Sequence, residues 1–114
     1  MDKRHEELKY YNVCLLVSIL DDEINAKKQL DDICRSLFVN YSITNDLYKF
    51  KVLISKSAKH ANDAYWAIYY ALNRVLLENI ENYTIELKDI TEITLSQFND
   101  WKHLNSNKND TTKL

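Results

Sequence analysis

The chain of 114 residues contains neither glycine nor proline, and this absence narrows both its turns and its chemistry. Phosphate-binding loops and the dinucleotide-binding fingerprint need glycine where the backbone approaches a phosphate, and the nucleophile elbow needs it for a strained turn. The sequence therefore excludes these three kinds of site. Tight turns must instead use asparagine or aspartate, which adopt left-handed backbone more readily than other residues that carry a Cβ atom.

Length and composition fit a single domain, because a domain takes roughly 100 to 200 residues. Hydrophobic residues make up 46% of the chain and charged residues 28%, which is enough apolar material to bury a core. We expect one domain over residues 1–104. The polar residues 105–114 have little to bury, and we expect them to be disordered.

The first 40 or so residues predict a strand followed by a helix. Residues 10–20 are almost entirely apolar and include β-branched side chains, as in a central strand that is covered on both faces. Three acidic residues follow and can cap a helix. An apolar stripe with helical spacing, which includes Ile24 and Leu30, then predicts a helix over residues 22–38.

The next segment predicts a β-hairpin. Apolar and polar residues alternate over 39–44 and again over 47–54, which is the pattern of two half-buried strands. Asn45 and Asp46 lie between the two strands. In a chain without glycine they are the best residues for the hairpin turn.

The remainder predicts a long helix, a strand and a short helix. Apolar residues recur at spacings of three and four over residues 57–81, and alternation over 83–88 predicts a last strand. Thr94 and Gln97 have the spacing of a capping box, which predicts the start of a helix over 94–104.

The predicted order β-α-β-β-α-β is that of an α+β split βαβ, or ferredoxin-like, domain with an added C-terminal helix. Its strand order would be 4-1-3-2, with the first and third strands in the centre. An all-α bundle in which residues 5–38 form one helix is the alternative, and it leaves the alternating segments unexplained. Where the strand and helix faces meet we expect a core that contains Val13, Leu15, Val17, Phe50, Val52, Ile68, Leu72 and Val75.

The cysteine and histidine residues predict neither a metal site nor a cofactor. Cys14 and Cys34 have no CxxC partner, and we expect both to be reduced, buried core residues. The three histidines lie in separate segments without the spacing that places two imidazoles on one metal ion. They are His5, His60 and His103.

An enzymatic alternative would centre on His60. It lies near the start of the long predicted helix, where Asp63 could orient it as a general base. A helix N-terminus disfavours protonated histidine, and the neighbouring sequence contains no candidate nucleophile. We therefore expect an exposed histidine and a protein that is not an enzyme.

Four lysines form the densest basic cluster and suggest single-stranded nucleic-acid binding as an alternative function. They are Lys49, Lys51, Lys56 and Lys59. The alternation places the neighbouring Tyr48 and Phe50 toward the core, so the lysine-bearing sheet face lacks aromatic rings on which bases could stack. The net charge of −2 adds no general attraction to nucleic acid or anionic membranes. We therefore consider nucleic acid an improbable partner.

An excess of aromatic residues on the long helix favours a protein-binding function. Besides its core stripe, the helix carries Trp66, Tyr69, Tyr70 and Leu77 on its other side. Such a stripe either packs under another element, here the C-terminal helix with Leu95, Phe98 and Trp101, or forms an interface with a protein partner or a second copy. An inhibitor, an immunity factor or a regulatory subunit fits this description.

The cellular compartment is predicted from two features that the sequence lacks. It contains no run of 18 apolar residues, and its first residues are too acidic for a secretory signal peptide. We expect a cytoplasmic protein without a membrane partner.

Overall fold

The computed structural model describes residues 7–46 and 49–100, which form an α+β structure. The elements are β1 (Lys9–Ile19), α1 (Glu23–Leu37), β2 (Tyr41–Asp46), β3 (Lys49–Ala58), α2 (Ala61–Asn79) and β4 (Tyr83–Ile93). A third helix, α3, covers residues 95–100. The predicted sequence of strands and helices is confirmed. The expected polar tail, residues 105–114, lies outside the described residues.

The four strands form one antiparallel sheet in the order β2-β3-β1-β4, which is 4-1-3-2 when read from the other edge. β1 and β3 are central and β2 and β4 are edges, as expected. Because β1 pairs with β3 on one side and with β4 on the other, the alternative of one long helix over residues 5–38 is wrong.

The side chains of β1 alternate between the two faces of the sheet. Its odd-numbered residues from Tyr11 to Ile19 are buried beneath α1 and α2, and we call this side the helix face. Its even-numbered residues lie on the opposite side, the open face, and are half-buried. The apolar sequence of β1 predicts that its side chains are covered on both faces. In the structure, only the side chains on the helix face are fully buried.

The core lies between the helix face and the two helices. The residues expected there are buried, except for Val75, which is half-buried and packs against the core. Fully enclosed side chains include Leu15 of β1, Leu30 of α1 and Leu72 of α2. These three residues belong to one core cluster because the two helices cross the same face of the sheet.

Helix α1 begins as the sequence predicts, but its buried stripe differs. Asp22 is the N-cap, and its carboxylate accepts a hydrogen bond from the backbone N–H of Asn25 at 2.9 Å. The inward stripe passes through Ala26 and Leu30. Ile24, expected in that stripe, is 82% exposed, because two residues along a helix turn the side chain by about 200°.

The predicted hairpin turn is wrong. Asn45 and Asp46 lie in β2, where they pair with Phe50 and Lys49 of β3. Pairing of these two residues adds backbone hydrogen bonds between β2 and β3 and continues the sheet past Phe50. The stabilisation from this pairing exceeds the modest preference of asparagine for turns.

The last two strands are longer than predicted. β3 continues to Ala58, and its residue Ser57 still pairs with Tyr10 of β1. Helix α2 therefore begins at Ala61 rather than at residue 57. β4 continues to Ile93 and satisfies the second edge of β1 along nearly its whole length. A register shift within this pairing leaves Lys88 as an extra residue, as in a β-bulge.

The two cysteines are free but differ in environment. Cys34 is fully buried on the core side of α1, and burial, with a smaller effect of Asp31, raises the pKa of its thiol to about 12. Cys14 lies on the open face and is half-buried. The expectation that both are buried is thus correct for Cys34 and wrong for Cys14. Cys14 is an even-numbered residue of β1, and these side chains lie on the open face.

Leucine-to-alanine substitutions on opposite sides of α2 test the core. Leu72→Ala should lower the free energy of unfolding by about 2 to 5 kcal/mol, because the side chain is enclosed. Leu77→Ala, whose side chain is exposed, should change it by less than about 0.5 kcal/mol. Urea denaturation followed by circular dichroism measures both, and equal effects would contradict the assigned helix face.

Thiol labelling tests the two cysteine environments. At mildly alkaline pH the native protein should react at Cys14 and remain unlabelled at Cys34, whose thiol stays protonated. Because the pKa of Cys34 is raised on folding, its contribution to stability should be present below pH 9 and decline as the pH rises toward 12. Mass spectrometry with and without denaturant identifies the labelled residue, and rapid native labelling of Cys34 would contradict its burial.

Candidate functional site

Helix α2 has one side in the core and a second apolar side outside it. The buried residues Ala64, Ile68, Leu72 and Leu76 recur every four positions. Trp66 and Tyr70 lie about 200° from Ala64 and Ile68, respectively, around the helix axis. The sequence therefore builds two apolar stripes on one helix, and the sheet can cover only one of them.

The second stripe, which we call the aromatic face, comprises Trp66, Tyr69, Tyr70 and Leu77, as predicted from the sequence. Three of these side chains are well exposed: Trp66 at 45%, Tyr70 at 62% and Leu77 at 69%. Tyr69 is half-buried. Exposure of neighbouring large apolar side chains is typical of interaction surfaces.

The rings of the aromatic face contact one another. The Trp66 and Tyr70 rings are stacked with centroids 5.3 Å apart, and the Tyr69 ring meets Trp66 edge-on at 5.6 Å. Such pairs at i,i+3 and i,i+4 support the helix and restrict the side-chain rotamers. The rings thus form a connected surface in the free protein.

Tyr65 extends this cluster toward the core. Its ring lies 4.8 Å from that of Trp66 and 5.8 Å from that of Tyr69, and burial, with smaller effects of Tyr69 and Tyr70, raises the pKa of its phenol. Sequence spacing assigns Tyr65 to the core stripe only. Its position at the border of the two stripes, one residue before Trp66, is the signal that could have revealed this second role.

The C-terminal helix follows the predicted capping box but packs elsewhere. The backbone N–H of Gln97 donates to the Thr94 hydroxyl at 3.1 Å, and the backbone N–H of Thr94 donates to Gln97 Oε1 at 2.9 Å. From α3 the Phe98 ring contacts the ring of Tyr10, with centroids 4.8 Å apart. Tyr10 belongs to the open face of β1, so this contact is on the opposite side of the sheet from α2.

Over the part of the chain that the structure describes, α3 does not cover the aromatic face. Residues 95–100 pack on the open face, and the aromatic side chains of α2 retain their exposure. Leu95, a residue of the helix that could have covered the stripe, is itself exposed. Trp101 lies outside the described residues.

The aromatic face borders the edge strand β4. The hydroxyl of Tyr83 in β4 donates to Asn73 Oδ1 in α2 at 2.6 Å, so this side of α2 lies along β4. Asn73 sits between Trp66 and Leu77 on the same side of the helix. The hydrogen bond fixes the helix over the sheet edge and orients the aromatic face outward from it.

The lysine cluster does not form one surface. Lys49 and Lys51 lie on the open face, where Lys49 Nζ is paired with Glu86 Oε1 at 2.5 Å. Lys56 pairs with Tyr11 and therefore lies on the helix face of the sheet. Lys59 follows the end of β3. Lys49 and Lys51 thus share the open face, as the alternation predicts, and Lys56 does not, because a strand alternates its side chains between faces. Tyr48 lies outside the described residues.

His60 occupies the N-cap position of α2. Its backbone carbonyl accepts from the N–H of Ala64 at 3.2 Å, while its side chain forms no capping hydrogen bond. His60 and Asp63 are both exposed, as expected for a polar first turn. Over residues 7–46 and 49–100 there is no group of three or more His, Cys, Asp or Glu side chains that could hold a metal ion.

A small cavity lies at the end of the sheet near the start of α1. It has a volume of about 160 Å³, with Glu23, Asn45 and Lys49 in its wall, and Asn45 Nδ2 donates to Glu23 Oε2 at 2.5 Å. Pockets for small organic ligands usually measure about 300 to 1,000 Å³. The aromatic face is the stronger candidate site.

No family model matches the chain, and the searches of curated proteins and of solved structures found no significant match either. Among the described residues, no helix is long and apolar enough to span a membrane.

Substitutions on the aromatic face should leave the fold largely intact. Trp66→Ser should lower the free energy of unfolding by about 1 kcal/mol or less, because it removes helix-surface ring contacts and no core packing. A loss of about 3 to 5 kcal/mol would show that another part of the chain covers the ring. Chemical denaturation at low protein concentration measures the difference.

Proposed function

We propose that this chain is a small non-enzymatic protein-binding module that acts through the aromatic face of α2. The observation that carries the proposal is the connected cluster of Trp66, Tyr69 and Tyr70 rings, of which Trp66 and Tyr70 are well exposed. Tryptophan and tyrosine are enriched among the residues that contribute most to protein-protein binding energy.

The rigidity of this surface supports the proposal. Each ring is held by at least one neighbouring ring, and α2 is anchored to the sheet through its buried side. Binding therefore costs little side-chain entropy, since the rotamers are already restricted. The phenol hydroxyl groups supply polar contacts around the apolar ring surfaces.

An inhibitor, an immunity factor or a regulatory subunit is the functional class that we propose. Such proteins need an exposed anchor on a stable scaffold and no catalytic group of their own. Single-stranded nucleic-acid binding has weaker support, because Lys49 is paired with Glu86 and Lys56 lies on the opposite face of the sheet.

We also propose that the scaffold is a split βαβ, or ferredoxin-like, fold with an added C-terminal helix. The element order and the antiparallel strand order support this assignment. Both βαβ crossovers place their helices on one face of the sheet, which leaves the outer side of α2 available for a partner.

Comparative capture from a lysate of the source cells tests the proposed function. The full chain and its Ile24→Ser variant should retain the same binding proteins, while the Trp66→Ser/Tyr70→Ser double variant should lose them. Ile24 is the matched control, since it is an exposed apolar residue on a different helix. Quantitative mass spectrometry identifies the proteins that separate the variants.

If the double variant remains folded and captures the same proteins as the wild type, the aromatic face is not the binding site. Circular dichroism establishes that the variants have kept their secondary structure before any comparison is made.

A further inference from the structure

We propose that one occupant of the aromatic face is a second copy of this chain, with α2 of one copy packed antiparallel against α2 of the other. This inference rests on the proposed function and specifies one partner for the same surface. Three features support a second copy: the uneven distribution of side chains along α2, the position of Arg74 on that helix and the nature of the neighbouring sheet edge.

The aromatic face is bulky at one end and slimmer at the other. Trp66, Tyr69 and Tyr70 occupy the first half of the face and Leu77 the second, where Asn73 of α2 lies beside it. An antiparallel pair places Trp66 of each copy against Leu77 of the other and Tyr70 against Asn73. Large side chains then meet smaller ones, as close packing of two helices requires.

Arg74 is the charged residue of α2 that the antiparallel pair brings to an aromatic partner. The helix carries three charged residues, Asp63, Arg74 and Glu78. In the register that places Trp66 against Leu77, Arg74 of one copy lies beside Tyr70 of the other. Asp63 and Glu78 lie near the two ends of the helix and are exposed to water, which screens their charges.

Arg74 is suited to that position. It is exposed and forms no ion pair with any described residue. Guanidinium groups stack favourably on tyrosine rings, and the contact strengthens when water is removed from it. The same residue thus serves both copies through the two-fold symmetry of the pair.

The outer edge of β4, which lies next to the aromatic face, is one competing surface for self-association. Its register shift at Lys88 interrupts the regular edge, and the strand carries charged side chains at Glu86, Asp89 and Glu92. Bulges and charges are features by which proteins prevent edge-to-edge pairing of sheets. The aromatic face, which borders this edge, is the more favourable contact.

The expected dimer is modest in strength. The distance along α2 from Trp66 to Leu77 is about 16 Å, so the pair buries less than the roughly 800 Å² per partner of a standard stable interface. We therefore expect dissociation in the micromolar range.

Sedimentation equilibrium of the full chain tests the inference. Between about 1 and 200 µM the apparent mass should rise from that of a 13.5 kDa monomer toward twice this value. Trp66→Ser/Tyr70→Ser should weaken association at least about tenfold, because central aromatic residues dominate such interfaces. Ile24→Ser should associate like the wild type.

Cysteine cross-linking tests the orientation. When Trp66→Cys and Leu77→Cys proteins are mixed and oxidised, the mixed disulfide should form faster than either homodimeric disulfide. In the antiparallel pair the two Trp66 positions are about 16 Å apart along the axis, too far for a disulfide. The wild type, with Cys14 and Cys34 only, controls for native thiols.

A wild type that remains monomeric throughout this range would overturn the inference, as would a dimer that the double substitution leaves unchanged. Faster formation of the Trp66→Cys homodimer than of the mixed disulfide would overturn the antiparallel arrangement. A monomeric wild type whose captured proteins are lost in the double variant would overturn the second-copy inference and still support the proposed function.

Discussion

β1 forms hydrogen bonds along both of its edges, to β3 on one side and to β4 on the other, and the remaining structure depends on this double pairing. The strand has a core side with Val13, Leu15 and Val17 fully enclosed. Because β3 and β4 lie on opposite sides of β1, the connection between them must cross it. Helix α2 forms that crossing and covers the core side with its buried stripe.

The same crossing determines which part of α2 meets water. A helix over a sheet buries one stripe, so apolar residues elsewhere on its circumference remain outside unless a third layer covers them. In this protein α3 packs on the open face through Phe98 and Tyr10. The additional helix therefore adds packing to the side opposite the aromatic face, and within the described ranges Trp66 and Tyr70 stay exposed.

Much of the fold and the residues of the candidate site could be predicted from periodicity. Spacings of three and four identified both stripes of α2, alternation identified the strands, and Thr94 with Gln97 identified the start of α3. These signals are local, because each depends on how a regular element presents its side chains to one neighbouring layer. Predictions of longer range were less successful, since the turn residues Asn45 and Asp46 pair within the sheet instead.

The sequence by itself determined the number and order of elements, the core faces of β1, β3 and α2, and the presence of a surplus aromatic stripe. Tertiary structure decided where strands end, how far Cys14 is buried and which side of the sheet α3 covers. The physical reason is that these features depend on partners distant in the chain. Strand pairing continues while a neighbour supplies hydrogen bonds, and the burial of a side chain depends on what packs over it, which the spacing of residues within one element does not specify.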